Sequence, residues 1–69
     1  MELTINGESR RLKNGSSVKE LLASIDIDSG AARGIAIAVN ERIVRRDSWN
    51  KKILQAGDRV EVVTAQQGG

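Results

Sequence analysis

Only one segment of this 69-residue chain has the apolar spacing of a helix, and it lies between two groups of short alternating segments. The spacing i, i+3, i+4 and i+7 that defines one helical stripe is met by Val18, Leu21, Leu22 and Ile25. Ser17 and Glu20 have the spacing of a capping box, which predicts a helix that begins there and ends near Ile25 or Asp26. Because one helix cannot cover both faces of a sheet, it must pack on one face.

Short segments in which apolar and polar residues alternate predict the strands. The predicted strands are Glu2–Asn6, Ser9–Lys13, Ile35–Val39, Arg42–Val44 and Val60–Thr64. Asn6-Gly7 predicts a hairpin turn between the first two strands, and Asn40-Glu41 predicts a turn between the third and the fourth. Trp49, Ile53 and Leu54 are predicted to fold back as a short helical turn that covers the open end of the core.

The predicted element order is strand, strand, helix, strand, strand, turn, strand. Together with the right-handed crossover rule, this order predicts an α+β protein with a ubiquitin-like β-grasp fold. We expect a mixed sheet of about five strands with one main helix on one face, and the last strand central, parallel to the first. Residues 1–64 are expected to form this β-grasp domain, and residues 65–69 a flexible C-terminal Gly-Gly tail.

The composition excludes several classes of function. The chain has no Cys and no His, which removes disulfides, thiolate nucleophiles and the commonest general base and metal ligand. No apolar run approaches the roughly 20 residues that span a bilayer, and the N-terminus does not resemble a signal peptide. The net charge is +2, and basic and acidic residues are interspersed along the chain, as is typical of a solvated surface. We therefore expect a soluble cytoplasmic monomer, not an enzyme, that binds no metal, nucleic acid or membrane.

The tail has a candidate reactive group, which the rest of the chain lacks. Its sequence is Ala65-Gln66-Gln67-Gly68-Gly69. Gly68 and Gly69 have no Cβ, so their backbone can pass through a narrow channel and present the Gly69 carboxylate with little hindrance. Gln66 and Gln67 either hydrogen-bond inside a partner's channel or act as solvated spacers. A terminal Gly pair alone more often indicates disorder, but its place directly after the last strand of a ubiquitin-like order indicates acyl chemistry.

The second half of the chain has a distinctive order of residues. It runs through Ala38-Val39-Asn40, Ile43-Val44, Arg46, Trp49, Leu54, Gly57-Asp58-Arg59-Val60-Glu61-Val62-Val63 and Gly68-Gly69. In this order and spacing the chain resembles the ThiS-type sulfur-carrier proteins of thiamine biosynthesis, which have a ubiquitin-like β-grasp fold. It departs from the family at Glu41, where Gly is frequent, and at Arg45, where Pro is frequent. The first departure bears on the turn after Asn40, because Glu tolerates positive φ poorly.

This resemblance implies a two-stage cycle. A ThiF-like adenylating enzyme, related to ubiquitin activators, binds the domain and uses ATP to convert the Gly69 carboxylate to an acyl-adenylate, with Gly68 giving access. Sulfur from a cysteine-desulfurase relay then replaces AMP and leaves a thiocarboxylate on Gly69. Thiazole synthase takes this sulfur for the thiazole ring of thiamine. The chain itself is expected to bind no cofactor.

Several alternatives remain open at this point. Trp49 and Arg46 are possible partner contacts, although a half-buried cover of the core is the favoured role of Trp49. Related carriers serve molybdopterin, tRNA thiolation or cysteine synthesis, but the short chain and the stretch from Asn40 to Trp49 favour the thiamine branch. A ubiquitin-like modifier would join lysines through Gly69, and an RNA-binding β-grasp module would keep its salt-sensitive affinity without Gly68 and Gly69.

Overall fold

The computed structural model describes residues 1–27 and 34–64, and in them a five-stranded sheet accompanies one α-helix. The elements in chain order are β1 (Glu2–Ile5), β2 (Glu8–Arg11), α1 (Val18–Ser24), β3 (Ile35–Val39), β4 (Arg42–Val44), a 3₁₀ turn (Arg46–Ser48) and β5 (Arg59–Thr64). This arrangement confirms the predicted element order and fold class, and each strand boundary lies within two residues of its predicted place.

The last strand of the sheet occupies its centre. Across the sheet the order is β2-β1-β5-β3-β4, and β5 pairs in parallel with β1 and antiparallel with β3. The two remaining pairs, β1 with β2 and β3 with β4, are hairpins. β5 is therefore inserted between two hairpins, with no turn joining it to either neighbour, as the β-grasp prediction required.

A capping box starts α1 at the predicted place. The Ser17 hydroxyl accepts a hydrogen bond from the Glu20 backbone N–H at 3.2 Å, and the Glu20 carboxylate accepts one from the Ser17 N–H at 3.0 Å. Two of the N–H groups that lack partners at a helix start are satisfied in this way. The buried side chains of the helix are Val18, Leu21 and Leu22.

The helix ends at Ser24 with Ile25 as its C-cap, one residue before the predicted end near Ile25 or Asp26, and a Schellman motif terminates it. Asp26 takes a φ of 65°, which cannot continue a right-handed helix. The N–H groups of Asp26 and Ile27 turn back and donate to carbonyls of the last turn at 3.1 and 2.8 Å. The following loop was predicted as far as Gly34, and its residues 28–33 lie outside the described residues.

The core is aliphatic apart from one tryptophan. Its buried members are Leu3, Ile5, Val18, Leu21, Leu22, Ile37, Val39, Trp49, Leu54 and Val60. The predicted helical turn of Trp49, Ile53 and Leu54 over the open end of the core was wrong in two respects. The 3₁₀ turn lies earlier, at Arg46–Ser48, and the Ile53 side chain is 49% exposed, so only Trp49 and Leu54 cover the core. Ile53 forms an isolated antiparallel bridge with Ser17, so the backbone is extended there and the side chains of Ile53 and Leu54 point to opposite sides.

Both hairpin turns have positive φ at their two central positions, as the primed turn types require. The angles are 52° and 84° for Asn6 and Gly7, and 51° and 68° for Asn40 and Glu41. Glu41, where the family frequently has Gly, therefore adopts the positive φ that a primed turn needs. It places a side chain in the left-handed region, which is unfavourable for residues other than Gly, Asn and Asp.

Candidate functional site

The predicted reactive residues, Gln66, Gln67, Gly68 and Gly69, lie outside the described residues. Their chemical roles therefore stay predictions. The described element that leads into them is β5, which ends at Thr64. The geometry of the site is accordingly that of β5 and of the groups that hold it in the sheet.

β5 is bonded to its neighbours through alternate residues. At its start, the Asn40 N–H donates to the Arg59 carbonyl at 2.7 Å, on the β3 side. On the β1 side, the Asn6 N–H donates to the Val60 carbonyl at 2.8 Å. Since strand backbone groups alternate in direction, the N–H and C=O of Val62 also face the β1 side. β1 ends at Ile5, so its ladder has no backbone partner for Val62.

The side chain of Asn6 supplies that partner. Its carboxamide oxygen accepts from the Val62 N–H at 2.8 Å, and its carboxamide nitrogen donates to the Val62 carbonyl at 3.2 Å. A carboxamide has the donor and acceptor of a peptide group, so the side chain extends the β1–β5 ladder by one step beyond the strand. The outer half of β5 is thus held on both sides as far as Val62.

A second asparagine holds the other end of β5. The Asn40 carboxamide oxygen accepts from the Arg59 N–H at 2.9 Å, and its nitrogen donates to the Asp58 carboxylate at 3.0 Å. The same carboxylate accepts from the Gln55 N–H at 2.8 Å, which confirms the predicted role of Asp58 in the turn before β5. The β3–β4 turn is in this way tied to the point where β5 begins.

The structure brings the predicted contact residues Trp49 and Arg46 together. The Arg46 guanidinium carbon lies 5.7 Å from the centre of the Trp49 ring, which is within cation–π range. The Trp49 indole N–H donates to the Val44 carbonyl at 3.0 Å, and the side chain is only 3% exposed. Trp49 is therefore buried more deeply than the predicted half-buried cover, and its ring supports the core. Contact of either residue with a partner stays a prediction.

The sheet face away from α1 carries exposed apolar side chains. Val63 is 59% exposed and Ile43 is 71% exposed. Val63 pairs with Ala36 and Ile43 pairs with Ala38, so all four project from the same face. This face, which we call the open face, includes part of the strand that leads into the tail. Apolar surface of this kind is common where proteins meet partners.

Ionisable side chains in the described part of the chain are dispersed. Arg45 and Asp47 lie 3.9 Å apart and Arg59 and Glu41 lie 3.6 Å apart, and all four are exposed, so these pairs stabilise the fold little. Within residues 1–27 and 34–64, no group of three or more acidic side chains is placed to hold a metal ion. The same ranges contain no helix that is both long enough and apolar enough to cross a membrane.

The two asparagine side-chain contacts are the feature that the sequence analysis missed. Asn6 was interpreted only as a turn residue, because positive φ alone explains an Asn before Gly. Its bond to Val62 joins residues 56 positions apart. A local pattern contains no sign of such a contact, and only the parallel pairing of β1 with β5 brings these two residues together.

The chain is similar in sequence and in fold to known proteins. Residues 3–69 match the ThiS family. The chain is 32% identical over 69 residues to the sulfur carrier protein ThiS of Escherichia coli K12, with both chains fully covered. It is 35% identical over 69 residues to a thiazole synthase of Paramagnetospirillum magneticum, where the match covers 20% of that protein. The crystal structure of a ThiS thiamine biosynthesis protein from Geobacter metallireducens superposes with a TM-score of 0.82 at 25% identity, with full coverage of both chains.

Proposed function

The chain belongs to the ThiS family and is a sulfur carrier of thiamine biosynthesis rather than a catalyst, and from this premise we propose that the carboxylate of Gly69 carries the sulfur. The observation that supports the proposal is the central position of β5, whose last described residue, Thr64, lies five residues before Gly69. Because β5 is hydrogen-bonded on both sides, the place from which the proposed tail leaves the domain is fixed. Residues 1–64 would act as the domain that partners recognise, and residues 65–69 as the flexible tail that enters their active sites.

The first step of the proposed cycle activates the carboxylate. A carboxylate is a poor electrophile, so a ThiF-like adenylating enzyme would supply ATP. A Gly69 carboxylate oxygen attacks the α-phosphorus of ATP, pyrophosphate leaves, and an acyl-adenylate remains. Gly68 would serve this step because a backbone without Cβ fits a narrow channel, and Gln66 and Gln67 would either hydrogen-bond inside that channel or act as solvated spacers.

The second step replaces AMP with sulfur. A persulfide charged by a cysteine desulfurase attacks the Gly69 carbonyl carbon through its terminal sulfur, and AMP leaves. The acyl disulfide that forms is cleaved by a thiol, which supplies two electrons by becoming part of a new disulfide. The product is a thiocarboxylate on Gly69. The chain needs no thiol of its own in this scheme, in agreement with its lack of Cys.

The proposed client is a thiazole synthase. The relative of that name in Paramagnetospirillum magneticum contains a segment, 20% of its length, that is similar to this whole chain. We propose that the present chain meets such an enzyme as a separate partner, in the cytoplasm, where ATP and cysteine-derived sulfur are available.

Intact-mass spectrometry tests the proposal directly. The chain is incubated with ATP, the adenylating enzyme, a cysteine desulfurase, cysteine and a reducing thiol. The expected result is exchange of one oxygen for one sulfur, with fragment ions that localise the exchange to Gly69.

A chain shortened to end at Gln67 is the matched control, because it keeps every described residue and lacks only the two glycines. It should keep its fold and remain unmodified. An unchanged mass of the full chain, in an assay in which the Escherichia coli carrier is converted, would reject Gly69 as the sulfur-carrying residue.

A further inference from the structure

We propose that Asn6 is a positioning residue for sulfur loading, because its carboxamide holds Val62 and so fixes the direction in which the chain leaves the domain. This inference rests on the proposed function of Gly69. It concerns a residue far from the tail in sequence, which touches neither the carboxylate nor any reacting atom. Its role would be exerted entirely through β5.

Val62 is the last residue of β5 that is held on the β1 side within the described ranges. β1 ends at Ile5 and the chain turns back at Asn6-Gly7, so no backbone group of β1 reaches further along β5. On the other side, β3 accompanies β5 to its end, where Ile35 pairs with Thr64. The Asn6 carboxamide is therefore the final support on one side of the strand before the tail begins.

The turn itself does not require this side chain. Glycine accepts a φ of 52° more readily than Asn does, so turn formation alone would be met by Gly at this position. The two bonds to Val62, at 2.8 and 3.2 Å, are what Asn adds. Both are solvent-exposed, where water competes for the same groups, so their contribution to stability is small. Their geometric effect remains, because two parallel bonds fix an orientation as well as a distance.

Loss of these bonds would leave the end of β5 paired on one side only. The segment Val62–Thr64 would then move with the tail more freely, and the activating enzyme would have to order more chain in order to seat Gly69. Because ordering even one additional residue has an appreciable entropic cost, we expect the KM for the carrier to rise by about 3- to 10-fold. The rate constant at saturation should change little, since the bound geometry is the same.

Asn40 provides a matched control on the same strand. It also occupies a turn with positive φ, 51° against 52° for Asn6, and its carboxamide oxygen also accepts a bond from a β5 N–H, that of Arg59, at 2.9 Å. It acts at the start of β5, whereas Asn6 acts near the end. Asn6→Gly and Asn40→Gly each remove one carboxamide and keep a residue that tolerates the turn.

The experiment measures ATP–pyrophosphate exchange by the adenylating enzyme as a function of carrier concentration, for the wild-type chain and both variants. The temperature is one at which urea titration shows that all three chains are folded. Asn6→Gly should raise KM by about 3- to 10-fold with kcat within about twofold, while Asn40→Gly leaves KM within about twofold of wild type. Equal KM changes in the two variants, or no change in either, would overturn the positioning role.

Two further measurements keep the outcome decisive. If Asn6→Gly does not fold, Asn6→Asp replaces it, because an aspartate keeps an acceptor for the Val62 N–H and loses the donor to its carbonyl. Independently of activity, the amide order parameter of Thr64 should fall in the Asn6 variant and not in Asn40→Gly; an unchanged value would also contradict the inference. If the wild-type chain is never adenylated, the proposed function is rejected and the positioning role with it. If the wild-type chain is adenylated but the two variants have equal KM values, only the positioning role is rejected.

Discussion

Replacing Trp49 with phenylalanine distinguishes a core residue from a partner contact. The indole is 3% exposed and its N–H donates to the Val44 carbonyl at 3.0 Å. Trp49→Phe removes that hydrogen bond, worth about 1 kcal/mol, and leaves unfilled volume worth about another 1 kcal/mol. The weaker ring also loses part of the cation–π contact with Arg46, for which we assign a few tenths of a kcal/mol at most. The expected destabilisation is therefore about 2–2.5 kcal/mol.

This loss is large for a domain of this size and still leaves a folded protein. Domains of about 70 residues seldom exceed about 3–5 kcal/mol of stability, so Trp49→Phe should remain mostly folded at 25 °C. With a denaturant dependence of about 1 kcal/mol per molar urea, its midpoint should fall by about 2 M. Circular dichroism is the appropriate probe, because the substitution removes the only aromatic fluorophore of the chain.

The same variant is then assayed for thiocarboxylate formation under conditions in which it is folded. If Trp49 acts only in the core, the KM for the carrier should stay within about twofold of wild type. A urea midpoint close to wild type, combined with a tenfold rise in KM, would refute this reasoning and assign Trp49 to a partner interface.

Three further predictions concern stability and are checked by the same urea titration. Ser17→Ala should cost about 1 kcal/mol, because it removes the hydroxyl of the capping box while Glu20 remains; a cost below about 0.3 kcal/mol would mean that the box is not formed in solution. Glu41→Gly should leave stability unchanged or raise it by up to about 1 kcal/mol, since Gly takes a φ of 68° without a Cβ; a clear loss would show that the Glu41 side chain contributes more than its backbone strain costs. Leu54→Ala should cost about 2–5 kcal/mol and Ile53→Ala less than about 1 kcal/mol, and similar costs at the two positions would contradict the opposite directions assigned to them.

The features that the sequence predicted correctly are those set by neighbouring residues. The capping box needs only Ser17 and Glu20 at the right spacing, and the primed turn at Asn6-Gly7 needs only residues that accept positive φ. The alternation in β3 likewise follows from its own residues, because side chains on a strand change face at every step. The β-grasp topology was then predicted from the order of these elements together with the right-handed crossover rule.

The features that the sequence did not predict depend on contacts between distant segments. Ile53 is as apolar as Leu54, and only its bridge to Ser17 decides that it faces solvent. The contact of Asn6 with Val62 depends on strand pairing across most of the chain. In each case the competing local interpretation was equally consistent with the residues.

Because β5 is inserted between two hairpins, we expect the domain to unfold as a single cooperative unit. Within the sheet, the β1–β2 and β3–β4 hairpins are joined through β5, so releasing that strand separates the remainder into two pieces that are only marginally stable alone. A damaged or partly unfolded copy would therefore lose the surface that partners recognise. At the same time, β5 would no longer support the proposed tail. Such coupling would act as quality control, since the proposed adenylation would be limited to native molecules.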